Sequence, residues 1–326
     1  MAALPAAAAP RRLSFGELPG WAEADHEAAL RAFRVSLEKA RPAGAVRGED
    51  WAEIASALPP GAGEARSVFE ALFVPVALAP DALFTAYYEP EIAGARAPDS
   101  RHRHPIRRKP SDRALLSLTR GEIAAGRLDG RGLELLWLAD PVEAFFLHIQ
   151  GSGRIRLPDG GLVRVGFAGR NAHPYRSIGQ ALARRGLKGE AASAGGIRRW
   201  LRANPARAQA LMNENPSYIF FEERPGLAED EGPVGALGVP LTAMVSAAVD
   251  PSLQPLGAPL WVEAAAEGFA GRLMVAQDVG AAIKGPGRAD LFIGAGPEAG
   301  RRAGRIKAPG RLVTLLPRGA ARRIGA

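Results

Sequence analysis

Glycine and proline interrupt this chain too often for long regular elements: 39 Gly and 27 Pro fall among 326 residues. From Tyr218 onward they recur every eight to twelve residues, leaving apolar runs of strand length between them. Short strands at that rhythm predict a small β-barrel in the last third. Earlier segments are mixed. Between Gly20 and Leu37, the residues Ala29, Leu30, Phe33 and Leu37 are spaced as one face of a helix, and a second such run extends from Gly63 to Phe73. ALFTAYYEPEIAG, Ala82 to Gly94, reads as a β-rich run ended by Pro90 and Gly94. The basic stretch RHRHPIRRKP that follows reads as a loop, and the composition shift there suggests a domain boundary. A helix is predicted near Ala114 to Ala125. A three-stranded meander is predicted over Ala144 to Gly169, with turns at QGSG and PDGG, then helices over Ile178 to Arg185 and Gly196 to Met212.

The chain has no cysteine, which excludes disulfide scaffolds, thiolate metal sites and cysteine nucleophiles. A net charge of +8 suggests a nucleic-acid footprint, but all except five of the 42 basic residues are Arg in an Ala-, Gly- and Pro-rich chain. That composition fits GC-rich coding, and 6% aromatics is thin for base stacking. The reading is therefore no nucleic acid, with an anionic polymer left open as a partner. No run approaches the roughly 20 apolar residues of a membrane span, since Pro75, Pro80 and Asp81 break the longest. The start, MAALPAAAAPRR, has no secretory-signal pattern and no Cys to accept a lipid.

Several motifs are better read as structure. His102 and His104, with His148 or His173 as a third ligand, imitate a metal site, but the pair lies in an Arg-rich stretch without carboxylates. The expectation is a solvated basic loop, no metal and no cofactor. Gly294, Gly296 and Gly300 imitate a phosphate loop without its acidic partner, and a turn entering a helix explains them better. No G-x-S-x-G elbow occurs.

What remains is a set of aspartates at strand ends. Asp250 opens the turn DPSLQPLG, Asp278 ends the run GRLMVAQD, and Asp290 opens the run DLFIG. Each alone reads as a turn residue. Asp278 and Asp290, joined through Gly280, Gly285 and Gly287, can reach one end of a barrel. Neighbouring carboxylates raise one pKa and keep a protonated acid available.

The segment VAQDVGAAIKGPGRADLFIGAGPEAGRRAGRIKAPGRLVTLLPR resembles the C-terminal three-aspartate domain of the membrane-bound lytic murein transglycosylase A (MltA) family. FTAYYEPEIAG, FFLHIQGSGRIRLPDG, RVGFAGRNAHPYRSIGQAL, NPSYIFFEE and GALGVPLTAMVSAAVDPSLQPLGAPLWVE resemble its other motifs, in order. The resemblance implies a mainly β fold with peripheral helices: a double-psi β-barrel from residues 1–92 and 215–326, an inserted β domain from 93–214, and a substrate groove between them. It further implies a peptidoglycan lytic transglycosylase that leaves a 1,6-anhydromuramic acid end, with Asp290 as catalytic acid and base, Asp278 as its companion and Asp250 as the third family aspartate. A non-catalytic glycan-binding module on the same barrel is the alternative.

By the same resemblance, Tyr87, Tyr88 and Glu89 are expected to line the groove, and Gln150, Ser152, Gly153, Asn171 and Tyr175 to meet sugar hydroxyls. Each has an ordinary reading too: buried tyrosines at a strand end, a tight turn at QGSG, a polar loop around Pro174. Lys284 is expected to favour an anionic lactyl group or peptide. Phe146, Phe220 and Trp261 read as core. The implied setting is the periplasm or the periplasmic face of the outer membrane. The implied partners are peptidoglycan glycan strands, met by a monomer, with other cell-wall enzymes as further partners. Ala281 stands where many relatives carry a second Gly, a change the turn is expected to accommodate.

Overall fold

A computed structural model of the chain describes residues 9–60, 64–187 and 189–324. The first eight residues of the N-terminal segment and the predicted helix start at Gly63 lie outside them. Along the chain, β1 (Arg11–Arg12) and β2 (Phe73–Ala77) precede β3 (Ala82–Glu89), β4 (Glu91–Ala95) and β5 (His104–Arg107). β6 (Glu134–Leu138), β7 (Gly153–Arg156), β8 (Leu162–Arg170) and β9 (Ile219–Glu223) come next. β10 (Ser246–Val249), β11 (Pro259–Ala264), β12 (Arg272–Val279), β13 (Arg288–Ala295) and β14 (Lys307–Pro317) complete the series. The chain divides into two compact units, one of Met1–Tyr87, Val234–Gly294 and Ile306–Ala326, the other of Tyr88–Pro233 and Ala295–Arg305. The division expected near 92 and 214 falls at 87 and 233, because β9 pairs with β8 and so joins the insert sheet.

The first unit is built on a closed ring of strands in the order β14, β11, β12, β10, β13, β3 and back to β14, with β10 and β12 parallel. β14 closes it by changing partners along its length, from β3 at one end through β11 to β2 at the other. Gly310 sits at the first changeover, paired with both Ala82 and Ala264. A Cβ there would lie 1.9 Å from the Glu263 carbonyl oxygen, so only glycine lets the strands cross. The expected helix after Gly20 starts at His26, where the Asp25 side chain accepts the Ala28 N–H at 2.9 Å. It packs with helices Gly48–Ala57 and Ala65–Leu72 on the barrel through fully buried Phe33, Phe69, Phe73 and Trp261.

The second unit holds a sheet in the order β5, β6, β4, β7, β8, β9 over a core that includes Ile106, Leu138, Leu147, Ile155 and Phe221. Here several sequence expectations are corrected. The first strand of the predicted meander is a helix, Pro141–Gln150. Asp140 caps it by accepting from the Val142 and Glu143 amides, Pro141 opens it, and Gly151 ends it in the left-handed conformation. Those end signals outweigh the β preference of Phe145 and Phe146, while the PDGG hairpin between β7 and β8 forms as expected. The basic loop contains β5, and His102 is buried with its ring nitrogen 2.8 Å from Asp99. The helix near Ala114 is a 3-10 turn, Arg113–Ser117, followed by a helix at Arg120–Ala124 that Thr119 and Glu122 cap anew. The last predicted helix splits into Ala194–Ala203 and Pro205–Asn213 because Pro205 cannot continue the first.

Glu89 organises this unit. Arg154 on β7 and Arg164 on β8 are direct cross-strand partners, a repulsive pairing for two cations. Glu89, 1% exposed, lies between them, with Oε2 at 2.8 Å from Arg154 Nε and both oxygens at 3.0 Å from Arg164 Nη2. Removing the carboxylate leaves two desolvated guanidinium groups facing each other, so Glu89→Gln is expected to cost about 3–5 kcal/mol. Urea denaturation measures this, and a loss of about 1 kcal/mol or less, the size of a surface pair, would contradict the assignment.

Candidate functional site

In the first unit, β10 stands between the two acidic strands. Ala248 is the registered partner of Asp278 on β12 and of Asp290 on β13. Residues on one rung share a face, so both carboxylates project to the same side of the sheet, their backbones about 10 Å apart. Ala248, with its single methyl group, is the residue between them on that rung.

The two carboxylates are held differently. Asp278 accepts the Ala236 N–H on Oδ1 at 2.9 Å and the Tyr87 hydroxyl on Oδ2 at 2.8 Å, so both oxygens are engaged. Asp290 accepts the Thr85 hydroxyl on Oδ1 in a short hydrogen bond. Among the described residues nothing is hydrogen-bonded to its Oδ2. Thr85 in turn accepts from Arg288 Nη2 at 2.6 Å, while Arg288 Nη1 donates to the carbonyls of Leu83 and Ala289 at 3.2 and 2.5 Å. The result is a relay in which a fixed guanidinium orients a hydroxyl and the hydroxyl orients one oxygen of the acid.

Burial raises both aspartate pKa values. For Asp290, burial is opposed by the Thr85 bond and the Arg288 charge and assisted by the charge of Asp278. For Asp278, burial prevails over hydrogen bonds from Ala236, Val279 and Tyr87. Tyr87 is pushed well above its usual range by burial and by Asp278, so it acts as a hydroxyl donor, its ring 5.3 Å from that of Phe292.

Asp250 is a clasp at the end of β10. Its Oδ1 accepts the Ser252 hydroxyl at 2.7 Å, its Oδ2 accepts the Gly285 amide at 3.0 Å, and Lys284 Nζ lies 3.6 Å from Oδ1. Burial alone would raise its pKa, but the Gly285 and Ser252 bonds with the Lys284 charge bring it below the ordinary value. It thus ties the β10 turn to the connection that leads into β13 and Asp290. Lys284 is otherwise exposed.

The remaining candidates lie in the second unit. Tyr88 donates its amide to Gln150 Oε1 at 3.2 Å, and its hydroxyl accepts from Arg198 Nη2 at 3.2 Å. Half-buried Ser152 follows the left-handed Gly151. Gly153 has no room for a side chain, since a Cβ would stand 2.5 Å from Leu147. Asn171 is spent on backbone, donating to the carbonyls of Leu118 and Pro216 at 2.8 Å each and accepting the Tyr218 amide at 2.9 Å. Tyr175 is half-buried, and burial raises its pKa. Phe146, Phe220 and Trp261 are core, as expected, and Gly296 opens a helix that runs to Ala303.

Thr85 and Arg288 are the site residues that sequence reasoning missed. A signal existed in the period of two: Thr85 shares a strand face with Tyr87, and Arg288 with Asp290. That β3 lies beside β13 could not be read from either segment.

The sequence profile of the MltA specific insert domain matches residues 83–222, and that of the 3D domain matches residues 245–316. The membrane-bound lytic murein transglycosylase A of Vibrio cholerae is 38% identical over 245 residues, 72% of this chain and 65% of that protein. The chain therefore spans a little under two thirds of the curated relatives it matches. The crystal structure of a membrane-bound lytic murein transglycosylase from Agrobacterium tumefaciens is 32% identical, covers 97% of this chain and 100% of its own, and has a TM-score of 0.89. That of E. coli MltA with bound chitohexaose is 29% identical over 95% of each chain, with a TM-score of 0.75. With both family domains matched in order and the barrel and insert of that fold present throughout, the chain belongs to the membrane-bound lytic murein transglycosylase A family.

Proposed function

We propose that this protein is a peptidoglycan lytic transglycosylase, and that Asp290 is its acid and base. The observation that carries the reading is the asymmetry of Asp290: a carboxyl with raised pKa, one oxygen fixed by Thr85 and Arg288, the other without a hydrogen-bond partner among the described residues. In the proposed reaction that second oxygen donates its proton to the glycosidic oxygen as the bond from muramic acid C1 breaks. The C6 hydroxyl of the same muramic acid attacks C1, and its proton passes to Asp290, which regains its starting form. The nucleophile is intramolecular, so the second carboxyl that a hydrolase needs to activate water has no such task. Asp278, steadied by Tyr87 and Ala236, favours the protonated form of Asp290 and the positive charge developing at C1.

Binding of chitohexaose by the E. coli relative supports a β-1,4 glycan strand as the substrate. Tyr88, Gln150, Ser152 and Tyr175 are proposed to contact sugars, and Lys284 an anionic substituent. Asp250, Gly153, Glu89 and Asn171 are proposed to act through the structure they hold. We place the protein where peptidoglycan is, at the periplasmic face of the outer membrane, in keeping with the membrane-bound naming of its relatives. No helix among the described residues is long and apolar enough to cross a membrane.

Incubation with purified sacculi is expected to yield 1,6-anhydromuramic ends by mass spectrometry. Ordinary reducing ends alone would indicate a hydrolase, and binding without turnover would indicate the glycan-binding module. Asp290→Asn is expected to lower turnover by at least about 10³-fold with glycan binding retained; an active variant would remove the assignment.

The pH profile tests the neighbours with opposite signs. The Thr85 bond lowers the Asp290 pKa, so Thr85→Val lets it rise and moves the alkaline limb of kcat/KM to higher pH, with about tenfold lower rate from lost orientation. The Asp278 charge raises it, so Asp278→Asn moves the limb to lower pH. Shifts of equal sign would contradict the arrangement.

A further inference from the structure

The second unit contains a cavity of about 560 Å³ whose lining includes Arg120, His148, Trp137, Phe145, Met212 and Tyr218, with Arg107, Asp129 and Glu134. Arg120, at the start of its short helix, is 6% exposed. Its Nε donates to the Asn215 carbonyl at 3.2 Å, and its Nη2 donates to the Ser217 carbonyl at 2.6 Å and to His148 Nδ1 at 3.2 Å. The guanidinium lies 4.8 Å from the Phe145 ring centre and 5.4 Å from that of Tyr218. No carboxylate among the described residues pairs with it. Burial brings its pKa down to about 10, which leaves it cationic near neutrality.

Buried charges are ordinarily paired, because leaving water without a counter-charge costs several kcal/mol. The other buried cation of this cavity obeys the rule: Arg107 has Asp129 at 2.5 Å and Glu134 at 3.6 Å. Arg120 does not.

His148 adds a second donor. Its Nδ1 faces the Arg120 guanidinium and the Ile219 amide at 3.2 and 3.4 Å, so Nδ1 is the acceptor and the ring proton resides on Nε2. Neither His148 Nε2 nor Arg120 Nη1 has a hydrogen-bond partner among the described residues. A site with an unanswered guanidinium, an imidazole N–H and walls of Trp137, Phe145 and Met212 suits a carboxylate on a compact apolar body. Asp129 and Glu134, on the same lining, are taken up by Arg107, and the rings beside the guanidinium suit an apolar body attached to the carboxylate better than a bare inorganic anion.

We propose that the insert unit carries a binding site for a small organic carboxylate of about dipeptide size, with Arg120 and His148 receiving the carboxylate. This site is independent of the chemistry at Asp290. The test is calorimetric titration of the full chain with N-acetylalanylalanine, with its C-terminal amide and with inorganic phosphate. Saturable binding of the acid is expected, at least about tenfold tighter than the amide, whose neutral end forfeits the charge-assisted bonds. The acid is also expected to raise the His148 pKa, read from its imidazole NMR resonances, by placing a negative charge beside it. Arg120→Gln should abolish binding. Because Arg120 also holds the carbonyls of Asn215 and Ser217, Trp137→Ala provides a second variant, expected to keep its circular dichroism spectrum and to bind about tenfold more weakly. The proposal is overturned by no saturable binding, by equal binding of acid and amide, by phosphate binding as tightly as the acid, or by unchanged affinity in folded Trp137→Ala.

Discussion

Barrel closure at Gly310 is the constraint on which the site depends. β14 can pair with β3 and β11 in succession only because a residue without a Cβ occupies the crossing, where Ala82 and Ala264 both meet it. Closing the ring sets β3, from the first third of the chain, beside β13, from the last. Thr85 and Tyr87 thereby reach Asp290 and Asp278, residues about 200 positions away. An open sheet with the same strands would keep the aspartates on their rung around Ala248 but leave them without the hydroxyls that distinguish one from the other.

Two carboxylates on one rung would be equivalent if burial alone acted on them. Hydrogen bonding separates them. Asp278 has both oxygens engaged, whereas Asp290 has one oxygen without a hydrogen-bond partner among the described residues. Arg288 acts at one remove, since its guanidinium meets the acid through Thr85. The same balance of burial against partners runs through the insert unit. There the Glu89 carboxylate offsets two arginines on adjacent strands, and Arg120 stands buried among carbonyls, rings and an imidazole. Charge there is spent on architecture in one place and left open in another.

Much of this was legible from residues. The strand rhythm after Tyr218 and the helical spacing before Leu37 correspond to observed elements, and the three aspartates stood out as an unusual set. Errors cluster where end signals compete with propensity. Phe145 and Phe146 favour strand, but Asp140, Pro141 and Gly151 cap a helix around them. QGSG has the composition of a hairpin turn, but its first glycine, Gly151, ends a helix and its second, Gly153, starts β7. Glu89 and Asn171, expected at sugars, are buried with their polar atoms engaged by arginines or backbone, and a sequence does not display burial.

By itself the sequence determined the local periods, the positions of the turns, the supply of carboxylates without thiols, and, through its motifs, the family. Tertiary structure alone decided which aspartate has an oxygen unpartnered among the described residues, that Thr85 and Arg288 lie beside it, and that Arg120 is buried with no carboxylate partner among those residues. The reason is physical: period and propensity are properties of neighbouring residues, whereas burial, charge pairing and hydrogen-bond partners arise only when distant segments are brought to the same place.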